Sequence, residues 1–138
     1  MGSGYLMKCD HCGYSVKTSG PWEFYRDEKG ERHAFGHPIP ISAEAAQRGV
    51  YGLSGTLYCP ACDKVVDVIL VEFKEPCRDS LKLWSGQCEP DDNYLTDDVV
   101  RCPECKNKFL ILEPDNKHAL SCPRCGKGMM TGNIAWIS

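Results

Sequence analysis

Cys102-Pro103-Glu104-Cys105 and, sixteen residues further on, Cys122-Pro123-Arg124-Cys125 decide how this chain folds. Two thiolates separated by two residues can curl around one ion, so each Cys-x-x-Cys pair is half of a tetrahedral site. Two more pairs stand upstream, Cys9-Asp10-His11-Cys12 and Cys59-Pro60-Ala61-Cys62, with forty-six residues between them. Eight of the ten cysteines thus fall into four half-sites, enough for two four-coordinate ions. The candidate metal ligands are Cys9, Cys12, Cys59, Cys62, Cys102, Cys105, Cys122 and Cys125.

The residues around each pair repeat. An apolar side chain precedes every pair by two positions: Met7, Leu57, Val100 and Leu120. Proline follows the first cysteine in three of the four, and Gly13 and Gly126 follow the first and last pairs. Proline fixes φ and glycine accepts positive φ, so this pattern predicts a short strand ending in a tight turn whose amides point at sulfur.

Strands are predicted between the pairs. The β-branched run KVVDVILVEFK covers 64–74, and KFLILE covers 108–113. Pro114-Asp115-Asn116-Lys117 reads as a turn, 118–121 as the returning strand and MMTGNIAWI at 129–137 as a closing strand. The last forty residues or so are therefore expected to form a compact three-stranded antiparallel unit. A single short helix is predicted over 42–48, with Ser42 as N-cap and Gly49 as its stop. The segment 18–55 reads as a long insertion between half-sites, in which Trp22, Phe24 and Tyr25 are expected to cover a metal-site core. The run LKLW at 81–84 is a candidate short strand within the connector.

The spacing Cys102-x2-Cys105-x16-Cys122-x2-Cys125 resembles a zinc ribbon over about residues 98–137. Met7-Lys8-Cys9-Asp10-His11-Cys12-Gly13-Tyr14 and Tyr58-Cys59-Pro60-Ala61-Cys62 resemble the two knuckles of rubredoxin, over about residues 5–75. That second resemblance implies one iron held by four cysteines and single-electron transfer. Sequential pairing is expected, with Cys9/Cys12 joining Cys59/Cys62 and Cys102/Cys105 joining Cys122/Cys125. The alternative is a nested pairing, as in chaperones with four Cys-x-x-Cys repeats. The expected fold is small, metal-stabilised and mostly β, with two zinc-ribbon or rubredoxin-like units and one short helix in the first. The expected units are 1–76 and 94–138, joined by a connector at 77–93. Two zinc ions are the expected cofactors, with iron the alternative at the first site.

Composition bounds the function. The chain of 138 residues carries a formal charge of −3, and two Zn²⁺ held by four thiolates each would take it to about −7. Such a charge opposes non-specific binding to nucleic acid, so a protein partner is expected ahead of a nucleic acid. The most apolar run, 65–71, is interrupted by Asp67 and too short to span a bilayer, so no membrane association is expected. The first residues, MGSGYLMKCD, lack a signal-peptide apolar region, which makes cytoplasmic location the expectation and keeps thiols reduced. The sequence has no nucleophile elbow, phosphate-binding glycine loop or zinc-protease helix, and a closed four-cysteine site leaves no open coordination position, so no enzyme is expected. Cys77 and Cys88 remain, as reduced thiols, as a disulfide, or as ligands of a third metal with His33 and His37. The expectation is a zinc-binding, non-enzymatic interaction module. The alternatives are a rubredoxin-like electron carrier and a thiol redox sensor or chaperone.

Overall fold

The computed structural model of the protein describes residues 2–35, 42–78, 100–108, 110–113 and 120–137. Seven strands and one helix occur among them: β1 (Ser3–Cys9), β2 (Ser15–Arg26), β3 (Arg32–Ala34), α1 (Ala43–Arg48), β4 (Val50–Cys59), β5 (Lys64–Cys77), β6 (Leu120–Ser121) and β7 (Met129–Ile137). All pairings between strands are antiparallel, and the strands form one sheet in the order β5-β4-β2-β1-β7-β6, with β3 paired to β2.

The first half of the chain builds two long hairpins whose turns are Cys-x-x-Cys motifs. β1 ends at Cys9 and β2 returns from Ser15; β4 ends at Cys59 and β5 returns from Lys64. The hairpins are joined through β2 and β4, whose pairing runs from Phe24↔Gly52 to Ser19↔Thr56 and breaks there. Beyond that point β4 peels away from β2, and the Tyr58 amide and carbonyl instead exchange hydrogen bonds of 2.9 Å with Ile111. The described part of the segment 18–55 supplies nine of the twelve residues of β2 and six of the ten of β4, in the middle of the sheet.

The expected three-stranded C-terminal unit is likewise corrected. β7 begins at Met129 and ends at Ile137, as its apolar pattern predicts, but its long partner is β1, with Cys9↔Met130 and Ser3↔Ile137 in register. β6 covers only Met129 and Met130 of it. Among the described residues of the run 108–113, Ile111 contributes a single bridge to β4 and no strand forms. The predicted turn at 114–117, His118, the candidate strand at 81–84 and all but Cys77 and Arg78 of the 77–93 connector lie outside the described residues.

β5 alternates as a one-face-buried strand must: Val66, Val68 and Leu70 are buried, while Val65, Asp67 and Ile69 face outward. The helix forms where caps allow it. The Ser42 hydroxyl accepts from the Ala45 amide, and Gly49 closes the helix at φ 79, a left-handed conformation that favours glycine. Two apolar clusters form around the cysteines among the described residues. One holds Leu53, Leu57, Val66, Val68, Leu70, Val100, Leu110 and Leu112 around Cys59 and Cys102. The other holds Met7, Val16, Tyr58 and Met130 around Cys9 and Cys122. Successive side chains of a strand point to opposite faces, so Leu57 and Cys59 enter the first cluster while Tyr58 between them enters the second. The end of β4 is thus a wall common to both. Trp22, Phe24 and Tyr25 belong to neither cluster, which overturns their expected role as a metal-site cover. Trp22 instead stacks on Trp136, with ring centroids 5.3 Å apart.

Candidate metal centres

All eight predicted ligands converge, but in nested pairs. Cys9, Cys12, Cys122 and Cys125 form an outer tetrad; Cys59, Cys62, Cys102 and Cys105 form an inner one. The expected sequential pairing is therefore corrected, and the reason lies in strand order. β2 separates β1 from β4, and the chain around Ile111 then inserts beside the end of β4. Neighbouring strands lie about 4.8 Å apart, so hairpin tips two strands apart cannot share one ion. The β1–β7 pairing delivers Cys122 and Cys125 to Cys9 and Cys12, and the Tyr58–Ile111 bridge delivers Cys102 and Cys105 to Cys59 and Cys62.

The sulfur separations fit a metal. In the outer tetrad Cys9 Sγ lies 3.6 Å from Cys125 Sγ and Cys12 Sγ 3.6 Å from Cys122 Sγ. In the inner tetrad the distances are 3.6 Å for Cys59–Cys105 and 3.8 Å for Cys62–Cys102. A tetrahedron with metal–sulfur bonds of about 2.3 Å has edges of about 3.8 Å. None of the eight cysteines is in a disulfide.

Each of the four turns is built the same way. The residue after the second cysteine takes a left-handed conformation: Gly13 at φ 80, Asp63 at φ 53, Lys106 at φ 64 and Gly126 at φ 67. Sequence reading found the two glycines and missed Asp63 and Lys106, for which residue type gives little signal. In three turns that residue's amide returns to the carbonyl of the first cysteine, at 3.3 Å for Gly13, 2.9 Å for Lys106 and 3.0 Å for Gly126. The loop so formed aims amides at sulfur: His11 N and Cys12 N to Cys9 Sγ at 3.3 and 3.4 Å, and Gly128 N to Cys125 Sγ at 3.4 Å.

These donors set the thiol chemistry. The amide of Cys105 and then that of Glu104 draw Cys102 down to about 7, and the amides of Lys127 and Gly128 draw Cys125 down to about 6. Their neighbours move the other way. The Cys105 sulfur, then burial and the Cys102 sulfur, push Cys62 well above the ordinary thiol range. At Cys12 the Tyr14 amide pulls downward, but burial and the sulfurs of Cys122 and Cys9 carry it up to about 12. Four adjacent thiolates repel one another, and a bound cation removes that repulsion.

Between the tetrads sits Asp63. Its Oδ1 accepts from the Tyr14 hydroxyl at 3.0 Å and the Tyr58 hydroxyl at 2.8 Å, and Arg124 Nε reaches Oδ2 at 3.1 Å. The Arg124 guanidinium also lies over the Tyr14 ring, 4.9 Å from its centroid. Burial first, then the Asp63 carboxylate, raises both tyrosine hydroxyls above their usual range. Arg124 and Tyr14 belong to the outer centre, Tyr58 and Asp63 to the turn of the inner one. Sequence reading did not find this cluster, since no local pattern marks it.

Of the residues suggested for a third metal, His33 approaches Asp27 and Glu31 rather than a cysteine. His33 Nε2 lies 2.8 Å from Asp27 Oδ2, and Asp27 Oδ1 accepts the Lys29 and Glu31 amides, so the group closes the β2–β3 turn. Cys77 is disulfide-bonded; Cys88 and His37 lie outside the described residues.

Comparison of the chain with protein-family models, curated proteins and solved structures returned no match. Fold and sites together define a mostly β module with two four-cysteine groups, each of a composition and geometry that could hold a metal ion.

Proposed function

We propose that the protein is a zinc-binding, non-enzymatic interaction module, in which two structural Zn²⁺ ions hold the sheet and its partner segments together for docking to another protein. The observation that carries this reading is the pair of closed tetrads. Four cysteines fill a tetrahedral shell, so neither ion would keep an open position for substrate or water. The binding free energy of the ions then becomes folding free energy, because each tetrad joins half-sites about 40 residues or more apart in sequence.

A protein partner is supported by charge and by surface. A chain of net charge −3, lowered further by bound thiolates, lacks the cationic excess that nucleic-acid binding draws on. On β7, Ile134, Trp136 and Ile137 are 55%, 49% and 71% exposed, and the strand from Met129 to Ile137 contains no charged residue. Apolar side chains and an uncharged strand favour a protein surface over a polyanion. No helix among the described residues is long and apolar enough to cross a membrane.

The test is metal content per chain by elemental mass spectrometry, with a visible spectrum of the same sample. Two zinc ions and no colour support the reading. A red sample with iron at the Cys9/Cys12/Cys122/Cys125 centre replaces it with electron transfer.

A further inference from the structure

Three of the four metal turns close on themselves, through an amide returned to the carbonyl of the first cysteine; the turn at Asp63 shows no such bond among the described residues. Asp63 nevertheless stands at φ 53, a conformation that costs free energy for a residue with a Cβ. Side chains hold it instead. Its Oδ1 accepts the hydroxyls of Tyr14 at 3.0 Å and Tyr58 at 2.8 Å, and its Oδ2 accepts from Arg124 Nε at 3.1 Å.

Two of these three donors belong to the other centre. Arg124 stands between the outer ligands Cys122 and Cys125. Tyr14 follows the Cys9–Cys12 turn, and its carbonyl accepts the Cys9 amide at 2.7 Å. The Arg124 guanidinium lies over the Tyr14 ring, 4.9 Å from its centroid, so the two outer turns present one unit to Asp63. Asp63 itself directly follows the inner ligand Cys62, and Tyr58 directly precedes Cys59. Exposure decides which donor matters more. Arg124 is 62% exposed, and water screens its ion pair. The Asp63 side chain is only 26% exposed, so the bond from the half-buried Tyr14 hydroxyl is the larger contribution across the two centres.

We propose that Asp63 couples the loading of the two centres, so that an ion in either tetrad raises the affinity of the other; the inference rests on the two-ion reading above. An ion in the outer tetrad fixes the two turns that carry Tyr14 and Arg124. It thereby sets two of the donors that hold the inner turn in its left-handed form. Linkage makes the effect reciprocal: an ion in the inner tetrad favours the outer one by the same factor. Asp63 belongs to neither tetrad and acts as a positioning residue, through the Cys62 beside it.

The experiment titrates the metal-stripped full chain with Zn²⁺ against a chromophoric chelator. Cys12→Ser leaves the inner site alone and Cys105→Ser the outer; both cysteines are exposed, which spares the core. The overall two-ion constant of the unmodified protein, divided by the product of the two single-site constants, is the coupling factor, expected at about fivefold or more. Asp63→Gly removes the carboxylate while glycine accepts the left-handed turn, and should bring the factor, measured with the same two cysteine variants, to about one. A merely structural Asp63 would shift each affinity equally with and without the neighbouring ion and leave the factor unchanged. A factor of about one in the unmodified protein overturns the inference. So does a factor that survives Asp63→Gly, which would lodge the coupling in the wall of β4 common to both clusters. Should a single-site variant bind no ion, Tyr14→Phe, which alters no ligand, decides by native mass spectrometry. The product of its empty and two-ion populations, over the square of the one-ion population, should fall about threefold or more. An unchanged quotient overturns the inference. A limiting content other than two ions per chain strikes instead at the reading beneath it.

Discussion

Arg124, inside the outer metal turn, donates through Nε to Oδ2 of Asp63 at 3.1 Å, and Asp63 directly follows the last ligand of the β4–β5 turn in the inner tetrad. The contact ties two centres that share no ligand. The hydroxyls of Tyr14 and Tyr58 converge on the other carboxylate oxygen, so one acidic side chain is held from both sides.

Replacing that carboxylate should therefore loosen both centres. Asp63→Ala leaves the fully buried Tyr58 without its acceptor and should lower stability by about 2 kcal/mol. The Arg124 pair adds little to this, because that side chain is 62% exposed. Metal content should stay at two ions per chain, read by mass spectrometry beside the thermal melt. An unchanged melting temperature would show that Asp63 is not a tie.

The nested pairing has a sharp signature in double mutants. Cys9→Ser and Cys122→Ser belong to one tetrad, so the double variant should lose one ion, as each single does. Cys9→Ser with Cys102→Ser should lose both. Sequential pairing predicts the same loss of both for the first combination, and metal counting on the purified variants separates the two schemes.

Gly128 lies against the outer centre. A Cβ at this position would sit 2.4 Å from Cys9 Sγ and 2.7 Å from Asp10 Oδ1, closer than any relaxed contact. Gly128→Ala should displace the Cys9 sulfur and weaken the outer ion by tenfold or more, about 1.4 kcal/mol or above, while the inner ion is unaffected. Competition with a chromophoric chelator measures each step.

Metal uptake should release protons. Cys62 stands above the ordinary thiol range and Cys12 at about 12 in the metal-free tetrads, so both are protonated at pH 8, and a bound cation must displace those protons. Because these thiols stay protonated below their raised values, affinity should go on rising with pH up to about 12. Calorimetric titrations in buffers of different ionisation enthalpy give the number released. An enthalpy independent of buffer would contradict the thiol assignment.

Cys77 takes no part in either tetrad, and its sulfur is disulfide-bonded. Cys77→Ser should leave two ions per chain and lower stability by about 2–4 kcal/mol. Loss of metal in this variant would reveal a ligand role.

Legibility followed the range of each interaction. The cap at Ser42, the closing strand from Met129 to Ile137 and the turns at all four cysteine pairs depend on residues within a few positions of one another. The reading of 108–113 as a strand failed because, among its described residues, Ile111 alone makes a β-bridge, to Tyr58, and β propensity does not say which neighbour will supply hydrogen bonds. The positive φ at Asp63 and Lys106 was invisible for a related reason: the turn imposes it, and residue type does not announce it.

By itself the sequence determined the chemistry of the centres: eight thiols, spaced two apart, at strand ends, with a mostly β scaffold between them. Only the tertiary structure decided which half-sites meet. A Cys-x-x-Cys turn is fixed by local backbone geometry, so it can be read from neighbouring residues. The joining of Cys9 and Cys12 to Cys122 and Cys125 is fixed by β7 pairing with β1, and that of Cys59 and Cys62 to Cys102 and Cys105 by the bridge from Tyr58 to Ile111. Loop-closure entropy grows so slowly with length that chain separation scarcely favours one partner over another. The choice falls to strand order and packing, which no local pattern records.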